Sequence, residues 1–229
     1  MAKVISFSLW GNKPKYCVGA IRNAELAPEI YPGWLCYFQL DYSVPQAIEE
    51  KLQEMEHVRV SRRLDHATHG IAVGDWKGMF WRFELACAQG VDVMVSRDCD
   101  SRLSRREAAA VEEWLDSGEG FHIMRDHPWH GSKMLGGMWG CRGFALPEFN
   151  HLMNAWKQED RWQTDQDFLN AEIYPRVVNN AMIHASFYRL EAFAQDFPEP
   201  RIGTEFVGQV FDENEVTVAE HINALAREL

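Results

Sequence analysis

The chain reads as an α/β protein with a mostly parallel central sheet. Short apolar runs of strand length alternate with helical patterns of about 10 to 15 residues, and acidic or glycine-rich clusters follow several of the apolar runs. With 229 residues and 46% hydrophobic content, the chain suits a single domain over 1–229 with one substantial core.

Val4 to Leu9 is an apolar run ending at Gly11-Asn12-Lys13-Pro14, which predicts a buried first strand and a loop. Val18, Ile21 and Ala24 recur at helical spacing over Tyr16 to Ala27, and Pro28 is expected to stop that helix. Leu35 to Leu40 predicts a second strand; Pro45 opens a helix carrying Ile48, Leu52 and Met55; and Val58 to Val60 supplies a third strand. Trp76 to Ala88 reads as a helix closed by Gly90, and Val91 to Ser96 as a strand delivering Arg97-Asp98-Cys99-Asp100 at its carboxyl end. Ser104 with Glu107 forms a capping box for a helix ending at Ser117-Gly118, and Phe121 to Met124 predicts the next strand. Gly136 to Gly140 reads as a turn, Phe149 to Trp156 as a helix, Thr164 as the N-cap of a helix through Ile173 stopped by Pro175, and Ile183 to Tyr188 as a late strand. Val216 to Leu229 suits a closing helix that packs on the sheet or on a second subunit, leaving a homo-oligomer open.

The net charge of −11 repels polyanions, which argues against nucleic acid as a partner. There is no apolar stretch long enough for a membrane span, and five scattered cysteines without a Cys-x-x-Cys suit a reducing, cytoplasmic setting. Gly-x-x-x-x-Gly-Lys, Gly-x-Gly-x-x-Gly and Gly-x-Ser-x-Gly are all absent, which removes P-loop and nucleophile-elbow enzymes and weakens a dinucleotide-binding domain.

In open α/β sheets ligands gather beyond the carboxyl ends of the strands. There, Asp98 and Asp100 leave extended backbone on the same side, about 6 to 7 Å apart at Cα, so both can share one cation. A hard divalent ion completes such a pair with water and phosphate oxygens. Arg97, Arg102 and Arg82 add cations suited to phosphate. The alternative is an aspartate-rich turn with ordinary ion pairs.

These residues, taken in order with Thr164-Asp165-Gln166-Asp167-Phe168-Leu169-Asn170, resemble sugar-nucleotide-dependent glycosyltransferases of the GT-A fold, in particular glycogenin-like and galactosyltransferase-like retaining enzymes. The resemblance implies a Rossmann-type three-layer sandwich with a mixed, mostly parallel sheet. Residues 1–100 would bind the nucleotide sugar, and 101–229 would supply the acceptor half and a C-terminal helix. It implies a UDP- or GDP-sugar donor, Mn²⁺ or Mg²⁺ held by Asp98, Asp100 and His184, and Trp10, Gly11, Asn12 and Tyr16 at the nucleoside. Arg82 and Asp98 would contact the phosphate or sugar, with Asp165 and Gln166 nearest the anomeric carbon. Without the resemblance, Asp165 and Asp167 are acids in a helix's first turn, and His184 is a core histidine.

A second cluster, Phe121 to His130, is dense in ionisable and aromatic groups. Trp129 and Trp139 are expected to stack on an acceptor glycan or small molecule, and Asp126 or His127 to bond a hydroxyl or act as base. The readings that compete with glycosyl transfer are a metal-dependent phosphoesterase or nucleotidyltransferase using these histidines, and an inactive carbohydrate-binding domain.

Overall fold

The computed structural model describes residues 2–63, 76–157 and 159–229. Its centre is one seven-stranded sheet of β1 (Ala2–Leu9), β2 (Leu35–Leu40), β3 (Val58–Arg62), β4 (Val91–Ser96), β5 (Phe121–Arg125), β6 (Trp139–Arg142) and β7 (Ala181–Ala185), in the order β3-β2-β1-β4-β6-β5-β7. Every neighbouring pair is parallel except those made by β6, which runs antiparallel to both β4 and β5. The expected α/β class and mixed, mostly parallel sheet are therefore observed.

Alternation along the strands sorts side chains onto two faces. Ile5, Phe7, Leu9, Phe38, Val93 and Val95 pack under helices α1 (Pro14–Ile30), α2 (Gln46–Gln53) and α3 (Arg105–Ser117). Met94, Phe121, Ile123, Trp139 and Ile183 pack on the other face against a 3₁₀ segment (Trp76–Cys87), α4 (Phe149–Ala155), α5 (Thr164–Phe168) and α6 (Tyr174–Val177). The result is three layers, closed at the C-terminus by α7 (Ala219–Ala226).

Several boundaries differ from the sequence reading, each for an identifiable reason. Pro28 lies inside α1 instead of stopping it. Proline gives no N–H to the carbonyl four residues back, and here Nε2 of His57 donates to the Ala24 carbonyl oxygen at 2.7 Å in its place. Thr164 is the first helical residue, not the cap; Gln163 turns the chain with φ 64°. The helical path then widens to a π turn over Leu169–Ile173 and restarts as α6, where Pro175 occupies an early position that needs no N–H. The late strand begins at Ala181, two residues before the expected Ile183. The expected turn over Gly136 to Gly140 is half strand: Trp139 and Gly140 open β6. Trp139 is fully buried, 5.3 Å from Phe83 and 5.4 Å from Phe149 between ring centroids, so it is a core residue and no platform for an acceptor.

Candidate active site

The carboxyl ends of β1, β2 and β4 share one edge because the strands are parallel. The antiparallel β6 brings its beginning to that edge, and with it Gly136 and Gly137. A Cβ on Gly137 would collide with the Asp98 carboxylate, and one on Gly136 with Asp165 and Arg82. Glycine is what permits this approach.

Arg82 leaves the 3₁₀ segment buried, and its guanidinium forks between two carboxylates. Nη1 donates to Asp98 Oδ1, and Nη2 donates to Asp165 Oδ2 at 2.8 Å. The structure thus brings together Arg82, Asp98 and Asp165 from three separate parts of the chain. Asp165 is wholly buried and its Oδ1 has no hydrogen-bond partner. Burial raises its carboxyl above the ordinary range, Arg82 opposes that, and the Asp98 charge reinforces it. Asp100 is raised likewise, by burial first and then by Asp98, against the pull of Lys15. Lys15 Nζ donates to Asp100 Oδ2 at 2.9 Å and lies 4.5 Å from the centre of the Tyr16 ring.

The loop carrying the two aspartates is held from α1. Asn23, fully buried, donates to the carbonyls of Ser101 (2.8 Å) and Cys99 (3.4 Å) and accepts from the Leu103 N–H (3.0 Å). Gly19 lets α1 lie directly on the Cys99 carbonyl. On the nucleoside side of the expected site, Gly11 has φ 72° and donates to Ser43 Oγ at 2.7 Å, tying the β1 loop to the end of β2. The Trp10 ring lies against Gly78 and meets Trp81 edge-on at 6.3 Å; Asn12 is exposed and Tyr16 half-buried. Gln166 follows Asp165 half-buried, and Asn170 pins the helix to the loop before β6 through Met134 N–H (3.0 Å) and Ser132 Oγ (2.7 Å).

Other expected members stand elsewhere. His184 sits on β7, three strands from β4, a lateral distance of about 14 Å. Its Nδ1 is 2.8 Å from His122 Nε2 and its Nε2 is 3.3 Å from Glu113 Oε2, so neither nitrogen is free to join the aspartates. Among the described residues, no three His, Cys, Asp or Glu side chains converge as a metal cage. Asp126 is a buried anchor instead of a base. Arg106 grips both its oxygens at 2.9 Å, while Arg201 (2.6 Å), Ser186 Oγ (2.6 Å) and the Val207 N–H (2.9 Å) complete its shell. Burial pushes this carboxyl up, but these partners outweigh it and hold it below the usual range. Arg97 and Arg102 are likewise committed, to Glu107 (3.0 Å) and Glu215 (2.7 Å). Both arginines serve packing, which corrects their expected place beside phosphate.

Sequence reasoning missed Gly19 and Asn23, which place the aspartate loop, and gave Lys15, which pairs with Asp100, no role beyond its position in the loop segment Trp10 to Lys15 after the first strand. An asparagine on the apolar face of a predicted helix was the available signal for Asn23.

No protein-family model matches the sequence, and no curated protein matches it. Among solved structures, a glycosyltransferase involved in the glycosylation of the major capsid of PBCV-1 aligns over 81% of this chain and 82% of its own, with TM-score 0.51 and 13% identity. A cytidylyltransferase from Leptospira borgpetersenii serovar Hardjo-bovis aligns over 81% and 76%, with TM-score 0.50 and 13% identity. Among the described residues, no helix is long and apolar enough to cross a membrane. At such identities likeness speaks for architecture: the chain has a GT-A-type, Rossmann-like α/β fold.

Proposed function

We propose that the chain is a glycosyltransferase that moves a sugar from a nucleoside-diphosphate sugar, UDP- or GDP-linked, to an acceptor hydroxyl, with a divalent cation at Asp98 and Asp100. The observation that carries this reading is the Arg82 fork, which joins the end of β4 to the start of α5, where the resemblance puts phosphate and reacting sugar. Residues 1–100 supply the donor half, and 101–229 the acceptor half together with Asp165 and Gln166.

The chain turns at Cys99 and Asp100 instead of running extended, and Asp98 and Asp100 pair with Arg82 and Lys15, so a cation here would take over part of those contacts. Two carboxylates lie at one strand end, Asp100 is raised partly by the Asp98 charge, and a hard ion needs only one or two carboxylates when phosphate oxygens complete its shell. Bound there, Mn²⁺ or Mg²⁺ offsets the charge that develops on the leaving diphosphate. Arg82 stabilises the same charge as a fixed donor without moving a proton. The half-buried Gln166 amide is an oxygen group suited to a cationic sugar, and the wholly buried Asp165 would act through Arg82, which it holds in place. The resemblance carried by the Asp-Gln-Asp string to retaining enzymes favours a hexosyl donor and retention of configuration. Five unpaired thiols suit a cytoplasmic setting.

The test is thermal shift against UDP-, GDP-, CMP- and dTDP-sugars with Mn²⁺ or with EDTA. A midpoint rise that needs one nucleotide sugar and the metal together, and disappears in D98N/D100N, is expected. An unchanged rise in that variant overturns the cation site. Pyrophosphate release from a nucleoside triphosphate with no sugar transfer would replace the reading with a nucleotidyltransferase.

A further inference from the structure

We propose that Trp129 and the exposed stripe of α7 form a saccharide-binding subsite beside the candidate active site; the inference rests on the glycosyl-transfer reading for its role, but not for its binding. Trp129 follows β5 and is 58% exposed; Trp162 is exposed too, at 63%, but Trp129 is the one that lines a hollow, while Trp34, Trp81, Trp114 and Trp139 are buried. It lines a hollow of about 280 Å³ whose other walls are Glu220, Asn223, Ala224 and Arg227. These four recur at the spacing of one helical face. The volume is near the small end of ligand clefts and suits one sugar ring. The lining surface is mainly apolar and suits the indole face against pyranose C–H groups, and Glu220, Asn223 and Arg227 are among the residues beside it that could bond hydroxyls.

The hollow is built, not incidental. The Trp129 backbone N–H donates to His127 Nδ1 at 3.0 Å, and His127 Nε2 donates to the His221 carbonyl oxygen at 2.9 Å. The His221 ring meets Trp129 edge-on at 5.2 Å, so α7 is positioned against the indole. The segment before α7 is fastened to the aspartate loop, with the Phe211 N–H donating to the Asp100 carbonyl oxygen at 2.9 Å and Arg102 paired to Glu215. The chain that leads into α7 is thus tied to the aspartate loop, while α7 itself lies against the indole.

Saturation-transfer NMR on the intact chain with lactose, maltose, cellobiose and chitobiose tests this. Transfer to the ring C–H protons of at least one disaccharide is expected, with a dissociation constant raised about tenfold in W129A and partly restored in W129F. E220Q should weaken binding too, whereas D98N/D100N should leave it unchanged. Failure of all four sugars to bind the folded chain overturns the subsite, as does equal binding by W129A. A shift of W129A from dimer to monomer on size exclusion also overturns it, by making Trp129 a contact between copies. Saccharide binding that persists while no nucleotide sugar binds would overturn the proposed donor chemistry and leave this subsite standing.

Discussion

Replacing Arg82 by methionine should cost far more than a surface ion pair, and the structure says where the cost falls. The Arg82 and Asp165 side chains are 5% and 0% exposed, and 2.8 Å separates them. Methionine fills much of the arginine volume but leaves a buried carboxylate without its cation, a change worth about 3 to 5 kcal/mol. The lost bond to Asp98 adds little, because that side chain is 44% exposed and water replaces the partner. For a chain of this size the loss lowers Tm by roughly 6 to 20 °C. The sign of its pH dependence follows from Asp165. Burial already raises this carboxyl, so its contribution is largest below the unfolded value of about 3.9 and is lost as pH rises through the folded value. Without Arg82 that folded value climbs further, so R82M should be closer to wild type at pH 5 than at pH 8. Urea denaturation of wild type, R82M, D165N and R82M/D165N at both pH values is the assay. Adding D165N to R82M should recover most of the lost stability, since the orphaned charge goes with it. A loss below about 1 kcal/mol, or no recovery in the double variant, would refute the argument that the Arg82–Asp165 pair is a mutually dependent buried charge pair.

Four further outcomes are expected. D126N leaves Arg106 and Arg201 facing a neutral group and should cost about 3 to 5 kcal/mol at pH 7 by urea titration; because the folded carboxyl is held low, that difference should fade as pH drops through its folded value. Burial drives His130 down to about 3, so the unfolded chain takes up a proton near pH 6.5 that the folded chain refuses. Stability should therefore fall as pH goes from about 6.5 towards 3, by up to about 1.4 kcal/mol per unit, and H130Q should flatten this slope. G19A drives a Cβ into the Cys99 carbonyl and should cost about 1 to 3 kcal/mol while weakening metal-dependent nucleotide-sugar binding, read as a smaller thermal shift. G137A presses on the Asp98 carboxylate, so its larger effect should be on that binding, measured by calorimetry, with a smaller one on the urea midpoint.

Much of the fold was legible because the signals are local. Period-two and period-3.6 patterning located β1, β2, β4, β5 and the helices between them, and Asp98 and Asp100 could be placed at a strand's carboxyl end from that alone. The antiparallel β6 was not legible, since four residues of Trp-Gly-Cys-Arg after a glycine pair carry no strand signature. Continuation of α1 through Pro28 depends on a histidine 33 residues away, which no window along the chain can see.

The site divides the same way. Residue type and position singled out Asp98 and Asp100 after a strand and Arg82 on the helix before it, the family resemblance added Asp165 and Gln166, and the fold joins Arg82, Asp98 and Asp165 through one guanidinium. The sequence also offered Asp126 as a base, and the resemblance offered His184 as a metal ligand; the tertiary structure encloses both. Arginines 20 and 75 residues away enclose Asp126, and the outer strand β7 carries His184 to His122 and Glu113. A side chain's chemistry is written in its own residue, so sequence alone determined which groups were available. Whether a carboxylate faces substrate or a buried guanidinium depends on which distant segments the sheet order brings within about 3 Å, and only the folded chain decides that.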